Sequence, residues 1–147
     1  MSLSEIDQLV VERAAERVIV KLWSALDSAD FEGVANSFAD DGVWHRQGKQ
    51  LAGPAGVRAA MTERPKSART RHLITNALVD AVDENNAEMQ FYLTVYHHTA
   101  EPADAPPPAP APMNVPLTVA LAKASLRKNA SGWKIHELNS ADTFRRR

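Results

Sequence analysis

Five histidines are the side chains of this sequence best suited to moving protons near neutral pH; they are His45, His72, His97, His98 and His136. A metal site is not expected, because the chain has no cysteine and no His-x-x-x-His spacing. A Gly-x-Ser-x-Gly elbow and a phosphate-cradling glycine loop are also missing from the sequence. General acid/base catalysis without a metal or a cofactor is therefore the chemistry that the residue types favour.

Two of these histidines fall on neighbouring strands of a predicted hairpin. If a turn at 83–86 closes a regular hairpin, residues whose numbers add up to 169 face each other, which places His72 opposite His97. Both would then project from one face above an apolar floor, whereas His98 would project from the other. The alternative is that His72 is a core histidine satisfied by a backbone carbonyl and that His97 lies at a frayed strand end.

A carboxylate partner for this pair has to come from another part of the chain, and Asp27 is the candidate. It stands at the C-terminal end of the first predicted helix, where the helix dipole disfavours a negative charge. An aspartate in that position indicates a separate function, such as holding a histidine. The alternative is that Asp27 caps the second helix together with Asp30.

Three helices are predicted in the N-terminal half of the chain. Apolar residues at three- and four-residue steps indicate a helix over 4–27, which begins at a capping-box spacing of Ser4 and Asp7. Asp30 is a good N-cap for a short second helix whose apolar face would extend from Phe31 to Phe38. Gly53-Pro54 begins a third helix that ends before Pro65.

The strands come mostly later. A short strand is predicted at 43–46 with a continuation at 49–51, and longer strands rich in β-branched and aromatic residues are predicted at 72–82, 87–98, 117–128 and 133–144. Helices followed by strands indicate an α+β domain with helices packed on one face of a curved, mostly antiparallel sheet.

The predicted strands carry apolar residues on both faces, as Leu73 and Ile74 illustrate. This pattern favours a sheet covered by helices on its concave face and by the second subunit of a homodimer on its convex face. A mixture of edge and central strands in a monomer is the alternative.

The composition is that of one ordinary globular domain. The chain has 147 residues, of which 44% are hydrophobic and 24% charged. Its net charge of -1 argues against nucleic acid or an anionic membrane as the main partner. The sequence contains neither an apolar run long enough for a membrane span nor a secretion-signal pattern, which predicts a cytoplasmic protein.

One segment departs from this composition. Seven of the nine prolines lie between Pro102 and Pro116, so we call 101–116 the proline-rich insert. Its composition predicts extended, polyproline-like backbone in an exposed and partly disordered loop between two strands. Because it begins close to His97, a lid over the predicted pocket or a contact with a neighbouring subunit is the alternative.

Five short strings of this sequence, in this order, carry a family resemblance: 26–31 (LDSADF), 38–44 (FADDGVW), 53–57 (GPAGV), 70–76 (TRHLITN) and 131–135 (SGWKI). Together they resemble a SnoaL-like domain of the nuclear-transport-factor-2-like, cystatin-like superfamily. The resemblance covers nearly the whole chain apart from the proline-rich insert. It implies a single domain over 1–147, a cone-shaped barrel formed by the curved sheet, and three N-terminal helices on the concave face of that sheet.

Within this superfamily the chain is most similar to the scytalone dehydratase and hexachlorocyclohexane dehydrochlorinase types. These enzymes use an aspartate at the end of the first helix to orient a strand histidine that acts as general base. Asp27 and His72 match those two positions, and His97 matches a second histidine of the dehydratase. The chain departs from the dehydratase at Leu26 and His45, where that enzyme has tyrosines.

The resemblance and the residues together predict a dehydratase-like lyase or isomerase that acts on a small hydrophobic cyclic or aromatic molecule. The alternative is a binding or scaffold domain that resembles the β subunits of ring-hydroxylating dioxygenases. Besides Asp27, His72 and His97, the predicted pocket would be lined by mostly apolar residues, although large aromatics at such positions are also common in protein cores. The predicted lining residues are Trp23, Trp44, His45, Met61, Ile74, Asn76, Leu93 and Val95.

Overall fold

The structure is a computed structural model that describes residues 2–147 and contains helices and strands in an α+β arrangement, as the sequence predicts. In chain order the elements are α1 (Glu5–Asp27), α2 (Phe31–Asn36), β1 (Phe38–Arg46), β2 (Lys49–Ala52), α3 (Gly53–Thr62), β3 (Arg69–Asp83), β4 (Asn86–His98), β5 (Thr118–Asn129) and β6 (Gly132–Arg145). None of the helices in the described residues has the length and the apolar character needed to cross a membrane.

The six strands form one sheet in the order β2-β1-β6-β5-β4-β3. Every neighbouring pair is antiparallel except β1 and β6, which are parallel. The predicted, mostly antiparallel sheet is therefore confirmed, with one parallel pair that joins the N-terminal strand to the C-terminal one. The closure of the sheet into a cone-shaped barrel stays a prediction.

Helix α1 lies against the sheet, mainly on β3, through one apolar stripe. Its N-cap is Ser4, whose hydroxyl accepts a hydrogen bond from the Asp7 backbone N–H at 3.1 Å. The stripe repeats at steps of three or four residues, so one face is buried and the other is solvated. Its buried members are Val11, Ala15, Ile19, Leu22, Trp23 and Leu26. This burial holds the C-terminal end of α1, and with it Asp27, against the sheet.

The second helix ends earlier than the sequence predicts. The predicted apolar face ran to Phe38, but α2 ends at Asn36 and Phe38 begins β1, where it is buried and faces Ile135 of β6. A backbone hydrogen bond of 2.8 Å from Ile135 to Ser37 fixes this junction. Pairing with a strand almost one hundred residues away therefore overrides the local helical pattern, and β1 begins before the predicted strand at 43–46.

The predicted register of the β3–β4 hairpin is wrong by two residues, so His72 faces Val95 and Thr70 faces His97. Facing residues have numbers that add up to 169 at the turn, to 168 in the middle of the hairpin and to 167 beyond Asn76. Two bulges on β3, one at Val82 and one where Asn76 adopts a φ of 52°, each insert one unpaired residue.

The two bulges together preserve the orientation that matters for the site. A shift of one residue turns every side chain to the opposite face of the sheet, and a second shift turns it back. His72 and His97 therefore still share one face, as diagonal rather than direct neighbours.

Candidate active site

Asp27 at the end of α1 is hydrogen-bonded to three groups of β3. Its Oδ1 accepts from His72 Nδ1 at 2.6 Å and from the Thr70 hydroxyl at 2.8 Å. Its Oδ2 accepts from the His72 backbone N–H at 2.9 Å. Burial by itself raises the pKa of Asp27, but the hydrogen bonds from His72 and Thr70 outweigh it and hold the pKa below its usual 3.8. Asp27 is therefore a carboxylate at neutral pH and can only accept.

The alternative interpretations, that Asp27 caps the second helix and that His72 is satisfied by a backbone carbonyl, are both wrong. The cap of α2 is Asp30, whose Oδ1 accepts from the Gly33 backbone N–H at 3.0 Å, and not Asp27. The imidazole of His72 is paired with a carboxylate rather than with a backbone carbonyl. The structure thus brings Asp27 and His72 together, as the family resemblance implied.

The pairing fixes the tautomer of His72. Because Asp27 accepts at Nδ1, the proton of the neutral imidazole sits on Nδ1 and Nε2 carries the free lone pair. Nε2 has no hydrogen-bond partner in the described part of the chain, and His72 lines a cavity. Its side chain is only 8% exposed, so little solvent competes for this nitrogen. Such a nitrogen can accept a proton from a bound molecule.

An aromatic cluster holds the imidazole plane. Trp23 is stacked on His72, with ring centroids 4.5 Å apart and an interplanar angle of 18°. Trp44 meets Trp23 edge-on at 5.7 Å, and Phe38 stacks on Trp44 at 5.6 Å. The stacked indole limits rotation of the imidazole ring.

His97 lies on the same wall of the cavity as His72, and its pKa is lowered from the usual 6.5. Burial is the largest cause, and the positive charges of Arg64 and Arg146 and the neighbouring His72 and His98 add to it. His97 is therefore neutral at pH 7. His45, on another wall, lies 3.3 Å from a Glu137 carboxylate oxygen.

The cavity at this site has a volume of about 460 Å³, which is the size of ordinary small-molecule sites. It brings together seven of the predicted site residues in addition to Asp27, which lies behind His72. These seven are Trp23, Trp44, His45, His72, Leu93, Val95 and His97.

Three predicted lining residues lie elsewhere. Met61 is completely buried in the core, and Ile74 is packed against the core below the cavity lining. Asn76 is exposed at the bulge in the middle of β3. The extra residue there shifts the register, so the residues after it point to the opposite face from the one that simple alternation predicts. Periodicity within the strand could not locate this bulge, because nothing local distinguishes Asn76 as an inserted residue.

The prediction of a mostly apolar lining is wrong, because polar and charged side chains supply more of the cavity surface than apolar ones. Several of these polar residues do not follow from the sequence reasoning. Thr70 is two residues before His72, so strand alternation alone would have placed it on the same face. In the same way, strand alternation would have placed Arg46 on the face of Trp44, which is two residues earlier. Arg64 lies in the loop after α3, and no pattern in the sequence points to it. The lining also contains Asp142 and Arg145, which form an ion pair with an Nε–Oδ2 distance of 2.8 Å.

The proline-rich insert does not line this cavity. It folds back towards the start of β3, where the Ser67 N–H donates to Ala103 O at 3.1 Å and Arg69 Nε donates to Pro108 O at 2.8 Å. A second cavity of about 480 Å³ lies between the insert and outward-facing residues such as Leu73 and Tyr96. The insert is therefore attached to the outer side of the hairpin rather than placed over His72.

Within residues 2–147, no group of three or more histidine, aspartate or glutamate side chains is arranged to hold a metal ion.

A comparison with protein-family models matches residues 7–139 to the SnoaL-like domain. None of the curated proteins compared with the chain is significantly similar to it.

Solved structures share the fold at low sequence identity. The dehydrochlorinase LinA-type3 of Novosphingobium barchaimii is 17% identical, with a TM-score of 0.78 over 97% of this chain and 93% of its own. A provisionally named scytalone dehydratase of Novosphingobium aromaticivorans is 18% identical, with a TM-score of 0.73 over 92% and 86%. A Nostoc punctiforme protein of unknown function with a cystatin-like fold is 20% identical, with a TM-score of 0.72 over 97% and 95%.

Proposed function

The chain belongs to the SnoaL-like domain family, and on this premise we propose that it is a cofactor-independent lyase or isomerase in which His72 is the general base. The observation that carries the proposal is the 2.6 Å hydrogen bond between Asp27 and His72 Nδ1, in a histidine that lines a cavity. Two structural neighbours, named as a dehydrochlorinase and a scytalone dehydratase, support an elimination.

In the proposed reaction, Nε2 of His72 removes a proton from a carbon of the substrate. The electron pair of the broken C–H bond forms a double bond, and the leaving group departs with the electrons of its own bond. Asp27 keeps the other proton on Nδ1 and stabilises the imidazolium that forms. His45 donates a proton to a leaving oxygen, and the imidazolium of His72 afterwards releases its proton to water. His97, which is neutral at pH 7, donates only a hydrogen bond to that oxygen. In an isomerisation, the imidazolium returns its proton to another carbon.

The substrate in this proposal is a small molecule with a hydrophobic ring. Trp23, Trp44, Leu93 and Val95 form the apolar part of a cavity wall that is otherwise polar. Burying apolar area of this kind favours a cyclic or aromatic molecule over an open-chain polar one.

The protein acts as a homodimer through the outer sheet face in this proposal. The support is a set of large apolar side chains that are about half exposed or more on outward-facing positions of β3 and β4, which a single chain leaves in contact with water. They are Leu73 at 45%, Leu78 at 65%, Val82 at 62% and Tyr92 at 47% exposure.

The test of the catalytic proposal is turnover across a panel of hydroxylated and halogenated ring compounds, with and without a carboxylate. For any compound that the wild type converts, His72→Ala is expected to lower kcat by about 100-fold or more, because general-base catalysis contributes at least that factor. Asp27→Asn is expected to lower kcat as well, since the amide no longer compensates the imidazolium charge.

His98→Ala is the matched control, because His98 is adjacent to His97 but stands on the other face of β4. Its kcat is expected to stay at the wild-type value, and circular dichroism checks that all three variants are folded. Unchanged turnover in His72→Ala, or no conversion of any compound by the wild type, would overturn the catalytic proposal in favour of a binding or scaffold domain.

A further inference from the structure

Two arginines at the rim of the cavity have no carboxylate partner. Arg46 and Arg64 line the cavity of His72 and also a smaller adjoining cavity of about 220 Å³, and the two cavities meet at His97. Within the described residues, neither guanidinium lies within 4.0 Å of an Asp or Glu oxygen. Arg46 has one long hydrogen bond of 3.4 Å, to the neighbouring Gln47 side chain, and Arg64 donates no side-chain hydrogen bond.

This situation differs from that of other arginines of the described chain. Arg58 is paired with Glu32 at 2.6 Å, and Arg145 with Asp142. Arg69 and Arg146 donate to backbone carbonyls. Arg46 and Arg64 are half-buried like Arg69, but they keep their donors free. Withdrawing an arginine from water without a partner is costly, and charged groups in protein interiors are normally paired.

The two guanidinium groups are also close enough to repel each other. Burial lowers the pKa of both Arg46 and Arg64. The charge of Arg64 lowers the pKa of Arg46 further, whereas the charge of Asp27 acts against the effect of burial at Arg64. The side chain of Arg46 is held over the Trp44 ring at 5.4 Å, which directs it along the cavity wall. A negatively charged group between the two arginines would relieve both the repulsion and the lack of hydrogen-bond acceptors.

The remaining charges of the two cavities do not supply that group. Asp27 attracts Arg64 electrostatically, but its two oxygens are hydrogen-bonded to His72 and Thr70. Asp142 is paired with Arg145. Glu63 lines only the smaller cavity and is exposed, and Lys49 on the same rim adds another positive charge.

We propose that Arg46 and Arg64 bind the carboxylate of the substrate, so that the site takes cyclic organic acids in preference to neutral ring compounds. The planar forks of two guanidinium groups match the two oxygens of a carboxylate, and the wall formed by Trp23 and Trp44 accepts the ring. The identification of the bound acid as the substrate rests on the proposed function, whereas binding of the acid does not require catalysis.

The experiment compares benzoate with benzamide, which has the same shape and no charge. The background is Trp133→Phe, because the chain has three tryptophans and only Trp23 and Trp44 line the cavity of His72. Tryptophan fluorescence then reports binding at this site and not at the cavity beside the proline-rich insert. Benzoate is expected to bind at least about tenfold tighter than benzamide, the factor typical of a hydrogen bond to a charged group.

Arg64→Gln and Arg46→Met are each expected to remove this preference for benzoate, and the methionine retains an apolar stem against Trp44. Arg69→Gln is the matched control, because Arg69 is another half-buried arginine but lines the cavity beside the insert. It is expected to keep the preference. Circular dichroism and the thermal midpoint check that each variant is folded. If one of the two variants, Arg64→Gln or Arg46→Met, is unfolded, the other one tests the inference.

Equal affinities for benzoate and benzamide would overturn the inference, as would a preference that survives both arginine variants, or no binding of benzoate at about 10 mM. His72→Ala separates this inference from the proposed function, since that variant is expected to keep the preference for benzoate. If turnover is unaffected by His72→Ala while the arginine variants lose benzoate, catalysis by His72 is wrong and the carboxylate site stands.

Discussion

At the scale of single residues, the site is a set of groups whose orientation is decided by their neighbours. The Asp27 carboxylate selects the Nδ1–H tautomer of His72, and the stacked Trp23 fixes the plane of its ring. This arrangement carries a cost, because Trp23 Nε1 is buried without a hydrogen-bond partner in the described part of the chain. An unpaired buried N–H costs about 1–3 kcal/mol, which packing against His72 and Trp44 has to offset.

The charge of Arg64 is expected to act on His97. The pKa of His97 lies below 6.5, first because of burial and then because of the charges of Arg64, Arg146, His72 and His98. Arg64→Gln removes one of the positive charges, so the pKa of His97 is expected to rise towards 6.5. Titration of the histidine Cε1–H signals by NMR measures this change.

Arg58→Gln is the control for the titration, because Arg58 is paired with Glu32 on the surface and does not contribute to the His97 shift. The pKa of His97 is expected to be the same in this variant as in the wild type. A His97 titration that Arg64→Gln leaves unchanged would contradict the placement of Arg64 beside His97, and with it one support for the carboxylate site.

At the scale of elements, the site depends on the contact between the end of α1 and the start of β3. The apolar stripe of α1 determines which face of the helix meets the sheet, and Asp27 then completes the junction with three hydrogen bonds. The same carboxylate thus joins two elements and orients the candidate base. Asp27 is therefore expected to matter for stability as well as for activity.

Asp27→Asn is expected to lower the free energy of unfolding at neutral pH by about 1–3 kcal/mol, because hydrogen bonds to a buried charge are lost. The folded-state pKa of Asp27 is below 3.8, so its contribution is fully present above that value and is lost as the pH falls through the folded pKa. The difference between wild type and variant is therefore expected to shrink below about pH 4. Urea unfolding at several pH values measures it.

Asp30→Asn is the control for this stability effect, since asparagine caps a helix about as well as aspartate. It is expected to leave the free energy of unfolding nearly unchanged at neutral pH. If Asp27→Asn is as harmless as Asp30→Asn, the link between α1 and β3 does not depend on the charge of Asp27.

At the scale of the whole molecule, the sheet separates two environments. Its inner face carries the core and the cavity, whereas its outer face carries exposed apolar side chains and the proline-rich insert. The bulge at Asn76 explains part of the mixed pattern of β3, because Ile74 and Val79 both face inwards across it while Leu73 and Leu78 face outwards. Strand β3 therefore carries apolar side chains both on the core face and on the exposed face of the sheet.

The homodimer proposal predicts that charging the outer face separates the subunits. The double variant Leu73→Lys with Tyr92→Lys is expected to change the mass measured by light scattering from two chains to one, because each lysine would have to be buried without a partner. Ile6→Lys is the control, since Ile6 is 74% exposed but lies on α1, away from the sheet. A wild-type monomer, or dissociation by Ile6→Lys alone, would contradict an interface on the outer sheet face.

The sequence by itself was enough to determine the α+β class and the approximate bounds of most helices and strands. It also singled out Asp27, His72 and His97, and it predicted Trp23 and Trp44 in the lining. The predictions of the fold class and of the helices and strands succeed because hydrophobic periodicity, capping residues and turn residues act locally. The choice of Asp27 and His72 as a pair rested on the family resemblance, and their roles stay a proposal.

Only the tertiary structure decided how these parts meet. The end of α2 at Asn36 depends on pairing with β6, and the hairpin register depends on two bulges that no local pattern marks. The loop residue Arg64 reaches the cavity only because α3 packs against β1. Each of these outcomes is set by contacts between residues far apart in the chain, whose free energies outweigh local preferences and cannot be read from spacing alone.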